Sequence, residues 1–250
     1  MSSEKTSPKE KGRVSQIYRQ TSEVFGKIRS RVTSLQNVLS LLVDYESKKF
    51  DAETKDLLVS SRFEVWQLSR YADNFRDFSI LQADELDKLL DREDFYVKDA
   101  VREAIYNLHT YRDNWGKKYF FFDKTPSTIK VRCDKNRFIR IIESLFVNSI
   151  LYSGQTVTVM ISTHETDAGG VLIAVKDNGF GVPEGDMQGI FANGFRGENA
   201  IKSIYQGLGM ELYLARKILG KMNGALSFAN NEGVGCTFTI SFEGPVKGRP

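Results

Sequence analysis

The chain has 250 residues, 41% hydrophobic and 12% aromatic, enough to build a sizeable core in one large domain or two small ones. Its 35 basic and 32 acidic residues leave a net charge of +3, which gives no general argument for a nucleic-acid or membrane partner. Two distant cysteines, Cys133 and Cys236, argue against a disulfide framework or a zinc site and fit a reducing compartment, and no apolar run reaches the roughly 18 residues of a membrane span.

The first residues, "MSSEKTSPKEKGR", lack a signal-peptide core, and residues 1–12 read as a disordered, lysine-rich tail of a soluble, cytoplasmic protein. From Arg13 the pattern turns helical. Val14, Ile17, Thr21, Val24, Ile28, Leu35, Val38, Leu42 and Tyr45 follow alternating steps of three and four once Arg31 is counted as an occupant. That is a heptad seam, the mark of a helix packing lengthwise on others. Asp51 is placed to cap a second helix, which carries Leu58, Phe63, Val65, Trp66, Leu68, Tyr71, Phe75 and Phe78. Residues 13–90 thus read as a helical hairpin whose apolar face two copies would cover in a homodimeric four-helix bundle. A three-helix packing inside one chain is the competing arrangement.

After about Phe95 helices and strands mix. "DAVREAIYNLHTYRD" reads as a helix, "KKYFFFD" and "TIKVRC" as strands, and "DKNRFIRIIESLFVNSILYSG" as a helix capped by Asp134. "QTVTVMIST" and "VLIAVKD" form a strand pair, and "GLGMELYLARKILGKMNG" is a helix ending on Gly224. "ALSFAN" and "GCTFTISF" form a closing pair. Residues 95–245 therefore predict a two-layer α/β sandwich, making the whole chain α+β. The aromatic run "KKYFFF" reads as core rather than as a stacking platform for nucleic acid. A glycine-punctuated stretch, "GVPEGDMQGIFANGFRGENAIKSIYQ", lacks periodicity and reads as a lid.

The stretch "VKDNGFGVPEG" ends an apolar run on Asp177, Asn178 and Gly179, with Gly181 close behind. Two readings stand: a hairpin turn, or a pocket whose carboxylate reads a base while glycines let a ligand approach. Its neighbours favour a nucleotide pocket. Asn148 on a helix face offers an oxygen for Mg²⁺, and Asp177 at a strand end can accept from an adenine amine. Gly207-Leu208-Gly209 before a helix offers backbone N–H groups to phosphates, and Arg196 offers a guanidinium fork.

In this order the motifs resemble those of the sensor histidine kinases, over about residues 13–243. "IIESLFVNSILYS" is similar to their N box, "DNGFGV" to the G1 box, "IFANGFRG" to the F box and "GLGM" to the G2 box. "EGVGCTFTISF" is similar to the closing strand. The resemblance implies a HisKA-like dimerisation hairpin followed by a GHKL-type ATP-binding domain. It also implies an ATP or ADP site with Mg²⁺ built from Asn148, Tyr152, Asp177, Gly179, Gly181, Phe191, Arg196, Gly207, Leu208, Gly209 and Thr237. Asn148 would be the metal ligand.

The departures carry as much information. "Ile28-Arg29-Ser30-Arg31-Val32" aligns with the run that follows the phosphoacceptor histidine in that family, which places Gly26 at the acceptor and Lys27 at the neighbouring acid. Glycine has no nucleophile, and a protonated lysine is no base. Ser144, Leu151 and Tyr205 also depart from the pattern. The two histidines, His109 and His164, fall outside the hairpin, the first on a helix and the second in a turn after a strand. The expected function is a pseudo-histidine kinase that binds nucleotide and regulates a response regulator or another kinase through its bundle. The alternative is an active kinase that phosphorylates a partner protein, and an ATP-driven machine or purely structural dimer comes behind both.

Overall fold

The computed structural model describes residues 8–111, 116–197 and 207–244, apart from the side chains of residues 8–11 and Ser47. The chain divides into two compact units, Met1–Leu89 and Leu90–Pro250. None of its described helices is long and apolar enough to cross a membrane.

The first unit is a hairpin of α1 (Pro8–Asp44) and α2 (Ala52–Gln82), followed by a single turn, α3 (Leu86–Leu89). Helix α1 begins at Pro8, so residues 8–12, expected in a disordered tail, are helical. Proline is tolerated in a first turn because its missing N–H would be unpaired there in any case. Asp51 caps α2 by accepting from Thr54 N at 2.8 Å, a contact that holds its carboxyl below the ordinary value.

Helix α1 carries two distinct rows of side chains rather than one. Towards α2 it presents Tyr18, Phe25, Arg29 and Val32. Phe25 stacks on Phe75 at 4.9 Å, Tyr18 meets Phe78 edge-on, and Arg29 Nε donates to Asp73 Oδ1 at 2.8 Å. The heptad row found in the sequence is a different face. Val14, Ile17, Val24, Ile28, Leu35 and Val38 remain 43–55% exposed. Four-residue α3 is the only other α-helix of this unit among the described residues, too short to cover that row and so unlike a third bundle helix.

The second unit holds a small antiparallel pair, β1 (Arg92–Tyr96) with β3 (Lys130–Asp134), and a five-stranded sheet. The order of the latter is β2 (Lys118–Lys124), β4 (Thr156–Glu165), β5 (Val171–Asp177), β7 (Cys236–Phe242), β6 (Gly224–Asn230). Only β2–β4 is parallel. Helices α4 (Val97–His109), α5 (Lys135–Leu151) and α6 (Glu211–Lys221) complete the unit. Strand alternation sends Val157, Val159, Ile161, Ile173, Val175, Phe238 and Ile240 into the core with Phe138, Ile142, Leu145 and Phe146 of α5. The result is the two-layer α+β architecture.

Four details differ from the sequence reading. Strand β1, "REDFY", is short and charge-rich and carries no strand signal of its own. Edge strand β2 buries Tyr119 but leaves Phe120 and Phe122 47% and 52% exposed, because alternate residues of a half-covered sheet point away from its helices. His164 sits inside β4, opposite Leu172, and not in a turn. Helix α6 starts at Glu211 and stops at Lys221. Asn223 then takes the left-handed conformation that asparagine tolerates, and Gly224 already belongs to β6.

Candidate nucleotide site

Most of the predicted site converges on one cavity of the second unit. Its wall takes Asn148, Ser149, Leu151 and Tyr152 from the end of α5, Asp177 from the end of β5, and Gly181, Val182 and Pro183 beyond it. Asp186, Ile190, Phe195, Arg196 and Gly197 come from the lid, and Gly207, Leu208 and Gly209 from the loop before α6. Glu211 and Leu212 of α6 and Cys236 and Phe238 of β7 close it.

Asp177 is held in place by four donors. Its Oδ1 accepts from Gly179 N at 2.8 Å and Cys236 N at 3.1 Å, and its Oδ2 from Ser149 Oγ at 3.3 Å and the Cys236 thiol at 3.4 Å. Though buried, the residue reaches the cavity wall, so its carboxylate is presented in a fixed orientation. The same contact acts back on Cys236: burial, reinforced by the Asp177 charge, pushes its thiol well above the ordinary range.

Gly179 explains why the strand must be followed by glycine. A Cβ there would lie 2.6 Å from Tyr152 O, at the point where Phe180 N donates to that same oxygen at 2.9 Å. The loop after Asp177 is thereby tied to the end of α5, and the residue shapes the site from behind the cavity wall. Gly209, at φ +67°, serves a similar purpose: its Cβ would lie 2.6 Å from Phe195 O, and its carbonyl accepts from Gly194 N at 3.0 Å. Lid and pre-helical loop are therefore joined by backbone. Both glycines relate to geometry before chemistry.

Of the predicted residues, Asn148, Tyr152, Asp177, Gly181, Arg196, Gly207, Leu208 and Gly209 share the cavity wall. Gly179, Phe191 and Thr237 do not. Phe191 packs edge-on against Phe228 with Arg216 over its ring. Thr237 points to the other face of β7, where its hydroxyl donates to Asn231 Oδ1 at 2.7 Å. Its neighbour Cys236 takes the wall position, as the period of two in "CTFTISF" already implies. Ser149 was missed because a serine beside an asparagine carries no signal until the helix end is fixed in space. Tyr205 and the other residues of 198–206, part of the expected lid, lie outside the described residues.

The donor set fits magnesium. Asn148, which lines the wall, carries one amide oxygen, and the described residues contain no cluster of three or more acids, cysteines or histidines able to cage a metal. Such a site suits an ion that takes its remaining ligands from phosphate and water. Tyr152, the residue that ends α5, has its phenol pushed up by burial, with Arg196 pulling the other way.

Residues 133–245 match the family described as "Histidine kinase-, DNA gyrase B-, and HSP90-like ATPase". Sensor-like histidine kinase SenX3 of Mycolicibacterium smegmatis is 28% identical over 165 residues, 66% of this chain and 42% of its own length. Sensor histidine kinase YcbM of Bacillus subtilis is 25% identical over 196 residues, 77% of this chain and 61% of its own. The chain thus spans less than two thirds of either relative. Among solved structures, full-length ShkA in complex with AMPPNP covers 91% of this chain and 46% of its own, with a TM-score of 0.60 at 17% identity. The Acinetobacter baumannii histidine kinase AdeS covers 87% of this chain and 96% of its own, with a TM-score of 0.56 at 22% identity. At these identities the likeness is one of fold.

Proposed function

We propose, since residues 133–245 match the histidine kinase-, DNA gyrase B- and HSP90-like ATPase family and the chain is similar to a sensor-like histidine kinase, that this protein is a nucleotide-binding signalling protein without self-phosphorylation on histidine. It binds ATP or ADP with Mg²⁺ in the cavity around Asp177. Adenine sits against Asp177 and Tyr152, the phosphates against Gly207–Gly209 and Arg196, and Asn148 supplies the protein oxygen to the metal. The bound magnesium would neutralise phosphate charge, while the chain's own residues select the base and fix its orientation. The observation that carries this reading is the four-donor cradle of Asp177 on the cavity wall.

The hairpin acts as a homodimeric docking surface for a response regulator or a second kinase. Its uncovered heptad row supports pairing between copies, since each large apolar side chain brought out of water contributes roughly 1.5–3 kcal/mol. No histidine occurs anywhere in residues 1–89, and His109 is packed against Tyr119 and Phe121. Gly26 and Lys27 stand at the aligned acceptor and acid positions. A Cβ at Gly26 would meet nothing within 4 Å, so what is missing there is chemistry and not room.

The test is incubation of the purified protein with γ-labelled ATP, alone and with receiver domains, beside calorimetry with ADP. Nucleotide binding without label on the protein is expected. Label on His109 or His164 would overturn the reading. Label appearing only on an added partner would replace it with a kinase acting in trans.

A further inference from the structure

Lys117, one residue ahead of β2, directs its ammonium at three backbone oxygens. Nζ donates to Ile150 O at 2.6 Å, Leu151 O at 3.1 Å and Ser153 O at 2.7 Å. An ammonium has three donors, and all three are spent on one turn of chain. These oxygens lie where α5 runs out. A helix there leaves carbonyls without intrahelical partners and carries its negative dipole end. Unpaired, three converging carbonyl dipoles repel one another and open the turn. Lys117 is half-buried, and burial lowers its pKa, which fits an amine placed against protein dipoles instead of water.

The turn so gathered supports Asp177 from two sides. Ser149, whose carbonyl accepts from the Ser153 hydroxyl, shares its own hydroxyl proton between Leu145 O at 3.0 Å and Asp177 Oδ2 at 3.3 Å. Tyr152 O accepts from Phe180 N, which ties down the loop whose Gly179 N donates to Asp177 Oδ1. Tyr152 and Leu151 also line the cavity, whereas Lys117 does not.

We propose that Lys117 is a positioning residue of the base-recognition end of the nucleotide site, holding the Ile150–Ser153 turn and through it the carboxylate of Asp177. This rests on the ATP-binding reading above. A carboxylate fixed in this way accepts from the adenine amine and disfavours guanine, which places a carbonyl oxygen at the equivalent position. Lys117 therefore acts on selectivity between bases and not only on stability.

The experiment compares parent, Lys117→Met and Lys117→Arg in the full chain, by calorimetry with ADP and GDP and by amide hydrogen exchange without nucleotide. Lys117→Met keeps the unbranched stem up to the ε position and removes the ammonium. Its ADP affinity is expected to fall by roughly tenfold, with a comparable loss of preference for ADP over GDP. Lys117→Arg keeps the charge, but its flat fork matches three converging carbonyls poorly, so a partial recovery of both is expected. In Lys117→Met, exchange at the Phe180 amide should accelerate while Ile173 in β5 stays protected. An unchanged ADP/GDP ratio in a folded Lys117→Met protein overturns the proposal, whatever happens to its thermal stability. A parent protein that binds no ADP defeats the ATP-binding reading instead. In that event Phe180 exchange still decides the role of Lys117, and equal rates in parent and Lys117→Met overturn it.

Discussion

Asp177, cradled by four donors on the cavity wall, is the residue whose substitution bears most directly on ligand binding. Asp177→Asn keeps one acceptor for Gly179 and Cys236 but puts an amide NH₂ within reach of the base amine. We expect ADP binding to weaken on the order of 2 kcal/mol, with helical content unchanged, in calorimetry and circular dichroism. Equal affinity would separate Asp177 from base recognition. A second residue speaks about pH. Burial raises the Cys133 thiol from 9.0 to about 12, with Asp134 adding to the shift and Arg92 opposing it. The unfolded chain ionises this thiol first, so its contribution to stability is complete below about pH 9 and declines as pH climbs towards 12. The slope reaches at most about 1.4 kcal/mol per pH unit. Urea unfolding at pH 8 and pH 10 should show that decline in the parent and a smaller one in Cys133→Ala. Parallel declines would refute the assignment. Much of the cavity was legible at this scale, because Asp177, Asn148 and the Gly207–Gly209 loop are spaced like a nucleotide motif. The exchange of Thr237 for Cys236 was not, since it turns on which face of β7 meets the cavity.

Among the elements, α1 is the informative one. Its heptad row was plain in the sequence, but the partner of that row was not. Periodicity reports that a face is apolar and is silent about what covers it. The hairpin contact runs instead through Tyr18, Phe25, Arg29 and Val32, a row that includes an arginine paired with Asp73 and so lacks a clean apolar signature. The two rows predict opposite mutational outcomes. Leu35→Glu places a charge on the uncovered face, so it should shift sedimentation towards monomer while leaving hairpin helicity intact. Val32→Ala empties a buried position and should cost on the order of 1 kcal/mol in unfolding free energy, leaving the oligomeric state unchanged. Strand β1 shows the opposite failure: with only Phe95 buried among its five residues, it had no pattern to read, and its pairing with β3 places it. Helix α5 was legible throughout, since Asp134 caps it by accepting from Arg137 N at 3.0 Å and its apolar positions crowd the core.

For the molecule as a whole, each cavity residue belongs to the second unit, so nucleotide binding should survive removal of the hairpin. A fragment of residues 90–250 is expected to bind ADP within about threefold of the full chain by calorimetry, a difference under 1 kcal/mol. Loss of binding would show that the hairpin completes the site. That fragment also isolates the exposed phenylalanines of β2. Phe120 and Phe122 stand on the outer side of an edge strand, in register with Thr158 and Met160, and Lys118 and Lys124 bracket them on the same side. Free strand edges rich in aromatic residues are templates for aggregation, and flanking lysines are a common restraint on it. Colloidal behaviour is therefore expected to depend on four side chains that do not line the cavity. Light scattering of concentrated fragment should rise when Lys118 and Lys124 are both changed to Thr and fall for Phe122→Thr. Identical scattering from all three proteins would mean that this edge is inert. If the trend holds, solubility and ligand affinity can be adjusted separately in this chain, the one at β2 and the other around Asp177.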